Sequence, residues 1–234
     1  MTDTRSITTI SFDGDATLWD FEKVMRHSLS ITLDELRRRV SGGTSADLTV
    51  DKMIEIRNAV AAELKGKTAN LEKIRFHAFK RTVECVGDAD DSLAADLNAL
   101  YLKHRFEDIE LYRDVIPTLD VLQSDFSVGL LSNGNGYPER CGLAGRFGFV
   151  VFSQDVGVEK PDPEIFSVAC SRAKCTPAEL MHVGDSLESD VAGANRAEAV
   201  SVWLNRQSVQ NDTGITPDFE VRTLAEIVDI VKQG

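Results

Sequence analysis

The chain has 234 residues, 42% of them hydrophobic, so it is long enough and apolar enough to bury a sizeable core. Its 38 acidic residues outnumber the 26 basic ones, and the net charge of -12 disfavours a surface that binds nucleic acid or another polyanion. No apolar run is long enough to span a bilayer and the start does not resemble a signal peptide, so we expect a cytoplasmic protein.

The cysteines do not indicate a metal site or a disulfide framework. Cys85, Cys141, Cys170 and Cys175 include no C-x-x-C pair, and no histidine cluster accompanies them in the sequence. A chain of this size does not need disulfides to be stable, so we expect reduced thiols.

The first predicted element is a strand at residues 7–12, which is rich in β-branched residues and ends at an Asp-Gly turn signal. The next convincing strand, residues 127–131, begins more than a hundred residues later. A crossover between parallel strands needs only roughly a dozen residues and its helix. The excess chain therefore predicts an inserted structure between these two strands.

The inserted segment, residues 20–107, is predicted to be an all-helical domain, because its apolar residues recur at three-to-five-residue spacing. Thr32 and Glu35 have the spacing of a capping box, which predicts a helix start there. A further helix is predicted from Val50 to Leu64.

After the insertion, short apolar runs alternate with amphipathic segments. Strands are predicted at 127–131, 149–152, 180–183 and 199–204, and helices at 116–122, 163–172, 190–196 and after Thr223. Residues 205–218 predict a polar, irregular loop. The alternation predicts an α/β fold with a doubly wound parallel sheet, built from residues 1–19 and 108–234.

Carboxylates follow two of the predicted strands. Asp13 and Asp15 come after the first strand, and Asp185 follows the strand at 180–183. Ligands of open α/β sheets bind beyond the carboxyl ends of the strands, so we expect these groups to share one crevice. Asp13 could attack a phosphorus atom, and Asp15 could protonate the leaving oxygen. Carboxylates this close repel one another, and Mg²⁺ suits as the compensating cation, although Asp-Gly-Asp alone is usually only a polar turn.

Groups that could hold a phosphate follow two other strands. The Ser132 hydroxyl and the backbone N–H groups of Asn133 and Gly134 could cradle an anion, although Ser-Asn-Gly is also common in turns. Lys160 could neutralise the phosphate and the attacking carboxylate, the alternative being an isolated surface lysine. Pro161 and the helix start after it favour a fixed direction for this loop.

Asp190 and the histidines carry weaker signals. Asp190 either supports the metal through water or a hydrogen bond, or complements a helix dipole. His182 lies within a predicted strand and is expected to pack or to orient other groups. His27, His77 and His104 lie in the inserted segment without matching partners and are expected to be solvated.

Together these motifs resemble those of the haloacid dehalogenase superfamily of hydrolases. The matching segments are Asp13-x-Asp15-x-Thr17, Ser132-Asn133-Gly134, Lys160-Pro161-Asp162-Pro163, and Gly184-Asp185-Ser186 with Asp190. The resemblance implies a Rossmann-like core with a helical cap inserted after the first strand, and residues 20–107 look like that cap.

The resemblance also implies roles for individual residues. Asp13 would be the nucleophile, Asp15 the acid/base, and Asp190 a supporting residue. The carboxylates of Asp13 and Asp185 and the backbone carbonyl of Asp15 would bind Mg²⁺. The phosphoryl group would be held by residues of the other motifs: Thr17, Ser132, Asn133, Gly134 and Lys160.

Two positions depart from the pattern of this family. Ala16 stands where a glycine usually follows the second Asp, and Glu198 replaces a glycine expected before the next strand. A methyl group at Ala16 is tolerated unless the backbone there needs a positive φ. Glu198 could alter the end of the preceding helix.

Asp15 bears on which reaction of the family is expected. Carbon–halogen hydrolases of this fold lack that second Asp, because a halide leaving group needs no proton, so Asp15 favours a phosphatase that acts on a small phosphorylated metabolite. A phosphosugar mutase of the same family and a relative that only binds a ligand remain alternatives. A signalling receiver domain uses similar groups, but the long helical insertion argues against it. Either a monomer or a homodimer is compatible with the sequence.

Overall fold

The computed structural model describes residues 6–40, 43–68, 70–88 and 90–232. The chain divides into two compact units. The sheet unit comprises Met1–Asp20 and Glu110–Gly234, and the helical unit comprises Phe21–Ile109. The predicted limits of the insertion, 20 and 107, differ from these by one and two residues.

The sheet unit is built on six parallel strands in the order β3-β2-β1-β4-β5-β6. The strands are β1 (Thr9–Phe12), β2 (Ser127–Ser132), β3 (Phe149–Phe152), β4 (Leu180–Gly184), β5 (Val200–Leu204) and β6 (Phe219–Val221). This topology confirms the predicted α/β fold. The chain leaves β1 in one direction and returns to its other side at β4, so the order reverses between β1 and β4, where such sheets bind ligands.

The central strands are apolar because helices cover both faces of a parallel sheet. Ile10 and Phe12 of β1 and Val183 of β4 are fully buried. The edge strand β6 was not predicted. It has only three residues, which is too short for a hydrophobic pattern to distinguish it from the loop before it.

The described part of the helical unit contains five helices: α1 (Phe21–Arg39), α2 (Gly43–Asp47), α3 (Val50–Leu64), α4 (Leu71–Cys85) and α5 (Asp91–Glu107). They enclose their own core, in which Leu36, Val83 and Leu97 are almost fully buried. The prediction for α3 is confirmed at both ends, and the Thr49 hydroxyl caps it by accepting from Lys52 N at 3.2 Å.

The predicted helix start at Thr32 is wrong, because α1 runs through this position without a break. The Thr32 hydroxyl is buried and donates to the Ser28 carbonyl oxygen at 2.7 Å, one turn earlier in the same helix. A threonine followed three residues later by a glutamate also occurs inside helices, so this spacing alone does not identify an N-terminus.

The sheet unit has five α-helices among its described residues: α6 (Val115–Leu122), α7 (Ser153–Val156), α8 (Pro163–Ala173), α9 (Ala192–Arg196) and α10 (Ala225–Lys232). Asp162 caps α8 by accepting from Glu164 N at 2.9 Å, as its sequence predicts. The helix predicted from 190 begins earlier, as a π-helical turn at Leu187–Val191 that continues into α9. Among the described residues, no helix is long and apolar enough to cross a membrane, and the four cysteines are free thiols.

Candidate active site

Asp13 lies directly beyond β1, between the ends of β2 and β4. Its backbone N–H donates to the Val183 carbonyl oxygen at 2.9 Å, which extends the pairing of β1 with β4 past the last residue of the strand. The side chain is buried, so its carboxylate meets protein groups and little water. Asp13 is thus the first of the predicted polar residues that lie at this edge of the sheet.

Lys160 is the buried cation of the site, and only 1% of its side chain is exposed. Its ammonium group donates to Asp13 Oδ1 at 2.7 Å, to Asp190 Oδ1 at 2.6 Å and to the Leu131 carbonyl oxygen at 2.8 Å. Burial alone would lower the pKa of Lys160, but the charges of Asp13 and Asp190 and their hydrogen bonds raise it above its usual value. Lys160 is therefore a permanent positive charge beside Asp13.

Asn133 fixes the backbone of Lys160. Its side-chain amide donates to the Lys160 carbonyl oxygen at 2.9 Å, and its Oδ1 accepts from Lys160 N at 2.8 Å. The peptide bond from Lys160 to Pro161 is cis. The sequence predicts a phosphate cradle here but contains no signal for this double hydrogen bond. Because the side chain of Asn133 is engaged with Lys160, its backbone N–H is the group that it can offer to an anion.

The acids of the site carry more negative charge than Lys160 can offset. Burial raises the pKa of Asp13 to about 7 against the opposing charge of Lys160, and burial together with the charge of Asp190 raises the pKa of Asp185 to about 6. One carboxylate oxygen from each of Asp13, Asp185 and Asp190 lies within 4.8 Å of the other two. A set of oxygen donors with surplus negative charge fits Mg²⁺.

Asp190 is engaged with other protein groups at both oxygens. Oδ1 accepts from Lys160 and lies 3.1 Å from His182 Nε2, and Oδ2 accepts from Ser186 N at 3.0 Å. Burial would raise the pKa of Asp190, but Lys160 and His182 bring it well below its usual range. A Cβ at Gly184 would lie 2.1 Å from Asp190 Cγ, so only glycine fits at this position of the motif.

His182 continues this hydrogen-bonded chain into the sheet. It is buried, and its Nδ1 lies 2.8 Å from Ser11 Oγ. Because burial lowers its pKa, the ring is neutral, and it satisfies both neighbours if Nε2–H donates to Asp190 and Nδ1 accepts from the Ser11 hydroxyl. His182 thus orients Asp190, in line with the orienting role considered from the sequence.

Asp15 is half-buried and is held by a residue that the sequence analysis did not identify. Trp19 Nε1 donates to Asp15 Oδ1 at 2.8 Å, and the indole ring is buried. The ring lies against the backbone of Gly136, where a Cβ would come within 2.5 Å of Trp19 Cζ2. A tryptophan four residues after an acid is the only sequence signal for this contact, and alone it indicates nothing specific.

Thr17 and Ser132 lie close to these acids. The Thr17 hydroxyl donates to Asp185 Oδ1 at 3.2 Å, so in this structure it positions that carboxylate. The Ser132 side chain is buried, and its Oγ accepts from Gly134 N at 3.1 Å. A Cβ at Gly134 would lie 2.8 Å from Asp15 Oδ2, so the loop after β2 places the backbone of Gly134 beside Asp15.

The two departures noted in the sequence both fall at left-handed backbone positions. Ala16 has φ 63° and Glu198 has φ 60°. A side chain in this region costs about 1–2 kcal/mol, and glycine avoids that cost. The methyl group of Ala16 was expected to be tolerated unless the backbone has a positive φ, and the backbone does have one here.

Comparison with known proteins identifies the family of this chain. A family model described as haloacid dehalogenase-like hydrolase matches residues 7–198. The chain therefore belongs to the haloacid dehalogenase-like hydrolases, as the motifs predicted, and it is a hydrolase.

Two curated relatives are phosphatases. Glyceraldehyde 3-phosphate phosphatase of Methanopyrus kandleri is 30% identical over 238 residues, which cover 97% of this chain and 98% of that protein. Phosphoserine phosphatase of Thermus thermophilus is 31% identical over 159 residues, 65% of this chain and 63% of that protein.

Among solved structures, a 2-haloacid dehalogenase from Pseudomonas syringae superposes with a TM-score of 0.81 at 29% identity, covering 97% of this chain and 99% of that one. The magnesium-bound hydrolase YfnB of Bacillus subtilis has a TM-score of 0.73 at 24% identity, over 96% of this chain and 98% of that one. The second likeness supports the fold alone.

Proposed function

We propose that this protein is a Mg²⁺-dependent phosphatase that hydrolyses a small phosphate monoester through an aspartyl-phosphate intermediate. The observation that carries the proposal is the position of Asp15, a carboxylate two residues beyond the buried Asp13 and oriented by Trp19. A phosphate ester needs a proton on its departing oxygen, and Asp15 can supply one. The phosphatase relatives support the same reaction class.

In the first step, a carboxylate oxygen of Asp13 forms a bond to phosphorus while the bond from phosphorus to the ester oxygen breaks. Asp15 gives its proton to the departing oxygen, which leaves as an alcohol. Lys160, at 2.7 Å from Asp13 Oδ1, offsets the negative charge that the phosphoryl group adds beside Asp13.

In the second step, Asp15 accepts a proton from a water molecule whose oxygen attacks the phosphorus. The bond between phosphorus and Asp13 breaks, and inorganic phosphate and the Asp13 carboxylate are released. The Ser132 hydroxyl and the backbone N–H of Asn133 are the proposed donors to the phosphoryl oxygens, and Gly134 N–H would join them by exchanging its hydrogen bond to Ser132 Oγ for one to the phosphoryl group. Both proton transfers use one residue, so Asp15 ends the cycle in its starting state.

The residues that would hold Mg²⁺ are Asp13 and Asp185 through their carboxylates and Asp15 through its backbone carbonyl. Bound there, Mg²⁺ would stabilise charge on the transferring oxygens. Asp190 is proposed to act from outside this set, because Lys160, His182 and Ser186 N already occupy its oxygens. Thr17 is likewise proposed to lie outside the set of metal ligands and to orient Asp185 through its hydroxyl.

The substrate is proposed to be a small phosphorylated metabolite, which is the class named for the two phosphatase relatives. Every group assigned to the reaction lies in the sheet unit. Selection among leaving groups therefore falls to the helical unit, residues 21–109, acting as the cap that the resemblance implies.

Haloacid hydrolysis is the second candidate, because a 2-haloacid dehalogenase is among the similar structures. That reaction would also use a carboxylate nucleophile, but its halide leaving group needs no proton. It gives no role to Asp15 or to the tryptophan that holds it. Assays of an aryl phosphate and of a 2-haloacid, each with Mg²⁺ and with a chelator, distinguish the two reactions.

The central test is Asp13→Asn. This change keeps the size of the side chain and removes the nucleophile, so hydrolysis of an aryl phosphate with Mg²⁺ should fall by at least about a thousandfold. Asp125→Asn, at an exposed position of the sheet unit, is the matched control and should keep wild-type turnover. Full Mg²⁺-dependent activity in Asp13→Asn would refute the assignment of the nucleophile.

A further inference from the structure

A second group of metal-ligating side chains lies within the helical unit. His27 on α1 and His104 on α5 both face Asp108, the C-cap residue directly after α5. Asp108 Oδ2 lies 3.1 Å from His27 Nε2 and 2.7 Å from His104 Nδ1. Three potential ligands from two packed helices thus converge on one point, although the sequence analysis expected both histidines to be merely solvated.

The spacing of these atoms is close to that of a metal site. The three ligand atoms lie within 4.8 Å of one another. In a tetrahedral zinc site with bonds of about 2.0–2.1 Å, neighbouring ligand atoms are about 3.3 Å apart. The two measured separations are within about 0.6 Å of that distance, so small side-chain rotations would admit an ion.

The helices fix two of the three ligands. His104 and Asp108 are four residues apart, one helical turn, so their side chains lie on the same face of α5. The Asp108 N–H donates to the His104 carbonyl oxygen at 3.1 Å, which holds Asp108 in register with the last turn. The hydrogen bond from His104 lowers the pKa of Asp108, so this carboxylate is ionised at neutral pH.

We propose that His27, His104 and Asp108 form a binding site for a divalent transition-metal ion of the zinc type. Two imidazole nitrogens and one carboxylate suit such an ion, whereas Mg²⁺ prefers oxygen ligands, so the site discriminates against the ion proposed for the sheet unit. The side chain of His27 is 54% exposed, which leaves solvent access for a further ligand.

Metal binding requires each imidazole to present a lone pair at the nitrogen that faces Asp108. Without metal, His27 Nε2–H and His104 Nδ1–H donate to Asp108. To bind an ion, each of these nitrogens must offer its lone pair, so each ring carries its proton on the other nitrogen. The two hydrogen bonds to Asp108 are exchanged for bonds from the three ligands to the ion.

The site has a defined structural consequence. It links the beginning of α1 to the end of α5, and the helical unit starts at Phe21 and ends at Ile109. An ion there would fasten together the two ends of the segment that is inserted in the sheet unit. Its binding is independent of the phosphatase proposal, because no residue of the reaction takes part.

The test is a calorimetric titration of the whole untagged chain with ZnCl₂ in excess Mg²⁺, which measures the number of Zn²⁺ ions bound and their affinity. Wild type should bind one more equivalent of Zn²⁺ than His27→Gln or His104→Gln, or bind it at least about tenfold more tightly. His77→Gln is the matched control, because His77 is an exposed histidine of the same unit outside this cluster. It should bind as wild type does.

Co²⁺ in place of Zn²⁺ gives a second measurement that does not depend on counting sites. Tetrahedral Co²⁺ with nitrogen ligands absorbs visibly, and this band should appear with wild type and His77→Gln and be lost with His27→Gln. Circular dichroism establishes that each variant is folded, and the largely exposed His27 is the position most tolerant of change. Equal Zn²⁺ binding and equal Co²⁺ spectra in wild type and His27→Gln would overturn the proposal, as would failure of wild type to bind either ion.

Discussion

Lys160 donates its three N–H groups to two carboxylates and one carbonyl oxygen, and its own side chain is almost fully buried. Asp190 accepts from Lys160 and is oriented by His182 and Ser186. Burial raises the pKa of Asp13 to about 7 although the charge of Lys160 opposes the shift. The residue assigned as nucleophile therefore lies where its charged form is disfavoured by burial and supported by a single cation.

Glu198 offers a test of backbone strain away from the reacting groups. It is exposed and left-handed, so Glu198→Gly should raise the free energy of unfolding by about 0.5–1 kcal/mol. Glu198→Ala removes the same carboxylate but keeps a Cβ, and it should leave stability nearly unchanged. Urea denaturation measures both, and equal stabilisation by Gly and Ala would show that the charge, not the backbone, is responsible.

The residues of the site divide into those that spacing reveals and those that it does not. Asp13, Asp185 and Lys160 follow strands, and parallel strands end at one edge of a sheet, so their proximity was predictable. The partners of Trp19 and Asn133 depend on how loops fold over that edge. Neither hydrogen bond follows from a periodic pattern. Trp19 was therefore not selected from the sequence, and Asn133 was selected only as part of the phosphate cradle, not for its bonds to Lys160.

Caps decide where helices begin, and two threonines of the helical unit allow a matched comparison. Thr49 caps α3, whereas Thr32 lies inside α1. Thr49→Val removes an oxygen that satisfies a free backbone N–H and should cost about 1 kcal/mol of unfolding free energy. Thr32→Val keeps the buried volume and removes only a bond to a carbonyl that is already within the helix, so it should cost less than about 0.5 kcal/mol. A larger loss at Thr32 than at Thr49 would contradict these assignments.

Elements with two independent signals were predicted well. Residues 163–172 have a capping Asp, a first-turn proline and an apolar stripe, and α8 runs over Pro163–Ala173. Asp20 directly precedes α1 and was not used as a cap signal, whereas the capping-box spacing that was used lies in the middle of the helix at Thr32. β6 is the edge strand of the sheet and pairs with β5. Its strand conformation therefore depends on this tertiary pairing rather than on a pattern in its own three residues.

Binding of Mg²⁺ should be visible in the stability of the whole protein. An ion at 100 times its dissociation constant adds about 2.7 kcal/mol to the folded state, which for a chain of this size raises Tm by about 5–10 °C. Asp185→Asn should abolish this rise, and Asp125→Asn should keep it. Scanning calorimetry with MgCl₂ and with a chelator measures the shift.

The melting temperature of Asp185→Asn relative to wild type can also be predicted in the absence of metal. Burial and the charge of Asp190 raise the pKa of Asp185, so its ionised form destabilises the fold above a pH of about 6. Asp185→Asn should therefore melt no lower than wild type at pH 8 in chelator. A Mg²⁺-induced rise of equal size in wild type and Asp185→Asn would exclude Asp185 from the metal site.

The position of β1 affects how the molecule is made. A ribosome that has translated as far as Ile109 has completed the helical unit, but of the sheet it has produced only β1, the strand that later lies between β2 and β4. Ile10 and Phe12, fully buried in the finished protein, must wait in the nascent chain until residues 127–132 and 180–184 emerge. Until those residues emerge, the nascent chain therefore carries an unpaired apolar strand, the kind of segment that chaperones shield from aggregation.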